Sequence, residues 1–189
     1  MSEQLLRMQV HLSKKMTSVR AGYVDPQCIA ATCFNYAKDW KLDGKELAAG
    51  KMVEEKEKIR QKKIREASLK AMAYIALAFK NLQNNSAIWL AYNFDNHWIC
   101  IGVNVGLGMA WVFDSIDKDP TTYKDFITIL KTAYRFYVNT HHGRHDPERE
   151  PNLCVKTLCA CPKQKPGSVH CGYYICTLMS NSSAYKRPL

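Results

Sequence analysis

Asn96-His97-Trp98-Ile99-Cys100-Ile101-Gly102-Val103-Asn104-Val105-Gly106-Leu107-Gly108-Met109-Ala110-Trp111-Val112-Phe113-Asp114 is the stretch that decides the fold. Two runs rich in β-branched and aromatic residues, His97–Val105 and Met109–Asp114, flank Gly106-Leu107-Gly108, the pattern of two strands joined by a turn. Ile88–Phe94 precedes them across the turn pair Asp95-Asn96, so three consecutive strands are predicted. A turn centred near Val105-Gly106 sets His97 opposite Asp114. Displacing that turn toward Leu107 makes the two diagonal neighbours, still within side-chain reach. Either register brings an imidazole and a carboxylate together at the open end of the hairpin. A carboxylate there fixes the imidazole tautomer and supports its protonated form.

Working outward, Asp119-Pro120-Thr121-Thr122 carries proline and hydroxyl signals for a helix start, and Phe126, Ile127, Leu130, Ala133, Tyr134 and Tyr137 then recur on one side. A polar loop follows over His141–Pro151. Leu153–Cys161 alternates like a strand, and a Pro166-Gly167 turn leads into a short apolar helix at Cys171–Met179. Upstream, residues 47–83 form the longest periodic region. Eleven of the sixteen residues from Lys51 to Glu66 are charged and of mixed sign, as on a solvated helix, and the segment turns apolar from Leu69 to Leu82. Cys28–Trp40 has helical spacing, Tyr23-Val24-Asp25-Pro26 reads as a turn, and residues 1–19 read as a loose leader. No internal repeat is visible.

The chain has 189 residues, 47% of them hydrophobic and 23% charged, which suits one domain with a buried core and argues against global disorder. No apolar window is long enough to span a bilayer, and the start Met1-Ser2-Glu3-Gln4-Leu5 lacks the basic-then-apolar pattern of a secretory signal. The net charge of +10 is spread along the chain, with no purely basic arm. A nucleic-acid-associated role therefore ranks below an acidic protein surface as partner.

Eight cysteines without a secretory signal point to a reducing, intracellular compartment. A zinc site from Cys154, Cys159 and Cys161 with His141, His142 or His145 fits no standard spacing, and buried or strand-borne thiols are the expected state. Cys171 is the exception. It follows Pro166-Gly167-Ser168-Val169-His170 and opens an apolar helical pattern, so its sulfur is placed at a helix N-terminus, where free N–H groups and the helix dipole favour a thiolate. A thiol at a helix start with a His–Asp pair on a sheet is the arrangement of a cysteine hydrolase.

Four strings carry a resemblance. Asn96-His97-Trp98, Val112-Phe113-Asp114-Ser115, Cys161-Pro162-Lys163-Gln164 and Cys171-Gly172-Tyr173-Tyr174 are similar, in that order and at comparable spacing, to the ubiquitin-like-protein-specific (SUMO) cysteine proteases, most of all to a branch in plant transposon-associated genes. Tyr23-Val24-Asp25-Pro26 and Ala91-Tyr92-Asn93-Phe94 add to the likeness. The resemblance implies an α+β, adenain/Ulp-type cysteine-proteinase fold over residues 20–189, with a central, mostly antiparallel sheet flanked by helices. It implies Cys171 as nucleophile, His97 as general base and acid, Asp114 as its orienter and Gln164 as oxyanion donor. Trp98 would flank a narrow Gly-Gly channel, and Tyr23 falls where the family often has a lid aromatic. SUMO or another ubiquitin-like protein, free or conjugated, is the implied partner of a monomeric enzyme in nucleus or cytoplasm, with no cofactor, metal or membrane.

The chain departs from the family at Lys165, one residue more than usual before Cys171, at His170, where an acidic residue is commonest, and at a shortened C-terminal end. The charged stretch within 47–68 reads as a helical insertion. The Pro166-Gly167 turn is expected to absorb the extra residue and send Lys165 to solvent. The alternatives are a catalytically silent protease-like domain that binds a modifier or partner, and a basic nucleic-acid-associated protein of a mobile element.

Overall fold

The computed structural model describes residues 21–29, 50–148 and 150–180. The expected leader, the Cys28–Trp40 helix beyond Ile29, Cys33 and the C-terminal residues 181–189 lie outside them. Five strands form one sheet in the order β1 (Ala21–Tyr23), β2 (Ala87–Phe94), β3 (His97–Asn104), β4 (Met109–Phe113) and β5 (Cys154–Lys156). Three helices accompany it: α1 (Gly50–Leu82), α2 (Lys124–His141) and α3 (Cys171–Ser180).

The three long central strands pair antiparallel, as read from the sequence, but β1 runs parallel to β2 and β5 parallel to β4. The sheet is therefore mixed, antiparallel through its long central strands and parallel only at its two short edges. Two readings shift with it. Tyr23 ends strand β1, and the turn begins only at Asp25, whose side chain accepts the Gln27 N–H and caps a 3-10 turn at Pro26–Cys28. Of the predicted Leu153–Cys161 strand, only Cys154–Lys156 is regular; beyond it single bonds, Cys159 N–H to the Val112 carbonyl and Gln164 N–H to the Ser115 carbonyl, continue the edge.

β2 and β3 are apolar on both faces because both faces are covered. On one face Leu90, Tyr92, Ile99, Ile101 and Val112 meet Ile75 and Phe79 of α1 and Phe126, Leu130 and Tyr134 of α2. On the other, Trp89, Trp98, Cys100 and Phe113 meet Cys171, Ile175 and Leu178 of α3. Gly102 lies on that second face, where a Cβ would come within 3.0 Å of the Trp89 ring, so the glycine makes room for the indole.

α1 divides as its sequence does. From Glu54 to Lys70 it is mostly exposed and carries solvent-screened pairs such as Lys58–Glu54 and Arg60–Glu57, both 2.8 Å, that add little. From Ala71 it packs. Phe79 is fully buried and meets Tyr137 edge-on with ring centroids 6.0 Å apart, joining α1 to α2. Phe79→Ala should therefore cost about 3–5 kcal/mol in urea unfolding. A loss under about 1 kcal/mol would mean that α1 is not docked on the sheet through this ring.

Candidate active site

Asp95 and Asn96, with φ of 44° and 57°, form the tight left-handed connection that a two-residue hairpin needs, and His97 is the first residue after it. Asn104 pairs with Met109 and Cys100 with Phe113, so the next turn centres between Gly106 and Leu107. That is the displaced register. Asp114, one step beyond β4, is the diagonal neighbour of His97, and His97 Nε2 lies 2.8 Å from Asp114 Oδ1. Both side chains are almost fully buried, at 4% and 1% exposed.

A carboxylate only accepts hydrogen bonds, so the neutral imidazole carries its proton on Nε2 and leaves Nδ1 as an acceptor. The Ile116 N–H also donates to Asp114 Oδ1 and the Lys118 N–H to Oδ2, both at 2.9 Å, so the turn after β4 wraps the carboxylate. Burial alone would raise the Asp114 pKa. The His97 hydrogen bond, the Ile116 N–H, the His97 charge and the Lys118 N–H together outweigh it and hold the carboxyl below its ordinary range.

Gln164 lies beside this turn. Its N–H donates to the Ser115 carbonyl at 3.0 Å, its Oε1 accepts from Ser115 Oγ at 3.0 Å, and its Nε2 donates to the Ser168 carbonyl at 2.8 Å. With its oxygen committed to a hydroxyl, the amide keeps one Nε2 proton without a partner among these bonds. Between Gln164 and Cys171 the chain makes a turn over Lys165–Ser168, closed by the Ser168 N–H on the Lys165 carbonyl at 3.1 Å, with Pro166 second and Gly167 third at φ 75°. That is the residue pattern of a type II turn, and Lys165 is exposed in it.

Cys171 is the first residue of α3, where the positive end of the dipole lies; the Tyr173 and Tyr174 N–H groups donate to the His170 carbonyl at 2.9 and 3.3 Å, and those of Cys171 and Gly172 have no partner within the helix. The residue is 6% exposed and shares a buried cluster with Trp98, also 6% exposed, and Phe113. The site thus has two halves: a His97–Asp114 pair in contact, and a thiol in the adjoining cluster, with no hydrogen bond drawn between Cys171 and His97 among the described residues. Tyr23 is buried in the cluster that holds Cys171, and its hydroxyl donates to the Met179 carbonyl at 3.2 Å.

Burial raises Cys100 far above the ordinary range, with the Cys161 and Cys176 sulfurs adding to it, and burial pushes Cys176 up to about 11. Burial also raises Cys159 and Cys161. Cys28 is exposed and lies on no strand, contrary to the expectation of buried or strand-borne thiols, whereas Cys154, also exposed, is borne on β5. Among the described residues no three His, Cys, Asp or Glu side chains come together as metal ligands. No described helix is long and apolar enough to cross a membrane.

Residues 32–187 match the model of the Ulp1 protease family, C-terminal catalytic domain. The chain belongs to the Ulp1 protease family. Its fold is that of solved Ulp1 enzymes. One structure of the SUMO protease Ulp1, with the catalytic cysteine oxidised to a sulfinic acid, superposes at a TM-score of 0.60 and 15% identity, over 100% of this chain and 68% of that one. A second, with the cysteine oxidised to a sulfenic acid, gives 0.58 and 14% over the same shares. A de-sumoylating protease gives 0.51 and 11%, over 94% of this chain and 58% of that one. No curated protein matches the chain.

Sequence reasoning missed Ser115, Asp117 and Lys163, which hold this site from behind. Ser115 and Lys163 stand within the quoted strings, beside Asp114 and Gln164, but nothing in the sequence marked their role, and Asp117 had no signal.

The depressed Asp114 carboxyl gives this Ulp1-family domain a pH signature. A carboxyl with a lowered native pKa contributes stability that is complete above its unfolded value and lost as pH falls through the native one. In urea titrations the gap between wild type and Asp114→Asn should hold steady from neutrality down to about pH 4, then shrink below the ordinary value of 3.8. A gap that instead widens on acidification above 3.8 and is flat below it would show the carboxyl to be held up, not down.

Proposed function

We propose that this domain is a cysteine peptidase that cleaves after the C-terminal glycine of SUMO or another ubiquitin-like modifier. The buried His97 Nε2–Asp114 Oδ1 contact carries the reading, because it leaves Nδ1 as the one basic nitrogen of the ring. Cys171 Sγ is the nucleophile and passes its proton to Nδ1, giving a thiolate–imidazolium pair. The thiolate attacks the glycine carbonyl, and the carbonyl oxygen takes up negative charge. The free Nε2 proton of Gln164 and the N–H groups at the start of α3 stabilise that oxyanion. Imidazolium then protonates the leaving amine, and water, deprotonated by His97, releases the modifier from the thioester.

Cys171 and His97 close on one another when substrate fills the site, since catalytic hydrogen bonds commonly tighten only in the complex. Trp98, next to His97 in sequence and clustered with Cys171, is assigned to the wall of a channel that admits only small C-terminal residues. Tyr23 is assigned to bracing α3 through its bond to Met179.

A SUMO or ubiquitin-like protein carrying a C-terminal thiol-reactive warhead should form one adduct with wild type, and none with Cys171→Ala. Wild type left unlabelled by every modifier tried would replace this reading with a silent, modifier-binding domain. On modifiers that react, Asp114→Asn should cut turnover by about 10⁴, through the wrong tautomer. Gln164→Ala should cut turnover by about 10²–10³ with little change in KM, and the exposed Lys165→Ala should be nearly silent. A critical Lys165 with a dispensable Gln164 would show that the oxyanion donor is misassigned by one residue.

A further inference from the structure

Lys163 belongs to no part of the chemistry above, yet its ammonium is turned toward the back of the site. Nζ donates to the main-chain carbonyl of Asp114 at 2.8 Å and to Asp117 Oδ1 at 2.6 Å, and lies 3.6 Å from Cys161 Sγ. Cys161 Sγ donates to the same Asp114 carbonyl at 3.2 Å, so both lone pairs of that oxygen are taken. Asp117 stands in the left-handed region at φ 51°, inside the turn whose Ile116 and Lys118 N–H groups hold the Asp114 carboxylate. The next residue after Lys163 is Gln164, bonded to Ser115 through both main chain and side chain.

We propose that Lys163 is a positioning residue: its ammonium clasps the turn that carries Asp114 to the segment that carries Gln164, and so fixes the imidazole orienter and the oxyanion donor relative to each other. The proposal rests on the peptidase reading of the site. As an ion pair the contact is half exposed and contributes little to folding, which is the expected behaviour of exposed pairs. Its consequence is geometric. One ammonium ties the main-chain carbonyl of Asp114 and the turn's left-handed residue to the strap beside them, and loss of that tie leaves only the Ser115–Gln164 bonds to hold the two catalytic groups in register. Small misplacements of this kind act on turnover far more than on stability.

The test compares Lys163→Met, Lys163→Arg, Asp117→Asn and the Lys163→Met/Asp117→Asn double variant. Asparagine tolerates the left-handed backbone of position 117, so that variant removes charge without breaking the turn. Lys163→Met and Asp117→Asn should each lower kcat about tenfold with KM unchanged. The double variant should be no worse than either single one, and arginine should restore most of the loss, its guanidinium reaching both acceptors. Melting temperatures should move by no more than about 4 °C. Amide hydrogen exchange at Ile116, Lys118 and Gln164 should quicken in Lys163→Met and return toward wild type in Lys163→Arg. Unchanged kcat and unchanged exchange, or a kcat loss that follows a large fall in melting temperature and is not rescued by arginine, would overturn the clasp. If wild type turns over no modifier, the peptidase reading fails on its own, and the exchange data still decide whether the clasp exists.

Discussion

The site depends on the register of one hairpin. Because the side-chain period of a strand is two, a slip of one residue between β3 and β4 would carry Asp114 to the other face of the sheet, away from His97. Burial on both faces forbids that slip: Ile99, Ile101 and Val112 fill one side, Cys100 and Phe113 the other, and none can exchange places without exposing apolar surface or closing on Trp89. The two-residue connection Asp95-Asn96 fixes the other flank, so the strand bearing His97 is pinned from both neighbours. The 2.8 Å contact is the product of core packing more than of any local attraction between the two side chains.

The same burial creates an electrostatic problem that the local backbone solves. A carboxylate at 1% exposure should be driven neutral, yet Asp114 stays ionised because two main-chain N–H groups and an imidazole converge on it. The thiols show the uncompensated case, since Cys100 and Cys176 lie in the same cluster as Cys171 and are raised by burial. Cys171 differs from them in place: it opens α3, at the positive end of the helix dipole.

Most of this was legible in the sequence wherever one element dictated one pattern. The three central strands and both C-terminal helices follow from alternation, turn residues and helical spacing, and the diagonal His97–Asp114 relation was one of two registers open to that hairpin. The edges were not legible. β1 and β5 are three residues each, too short to imprint a period, and their parallel pairing is decided by where distant segments dock. Ser115, Asp117 and Lys163 escaped for a related reason: they act through a few polar contacts between segments about fifty residues apart, and such contacts leave no periodicity.

The connection between Gln164 and Cys171 shows how such a site can tolerate a change in length. Gln164 and Cys171 are held independently, the one by Ser115, the other by the apolar face of α3. Between them the chain leaves the core: Lys165, Pro166 and Gly167 are exposed, and a Cβ on Gly167 would meet nothing within 4 Å, so its left-handed φ is the only reason for glycine there. A loop in open solvent can gain a residue at small entropic cost. Its far end is returned to register by the Gln164 Nε2 bond to the Ser168 carbonyl, which closes the loop just ahead of the helix. The length of the connection is thereby separated from the positions of the groups it joins, and an insertion at Lys165 need not displace either of them.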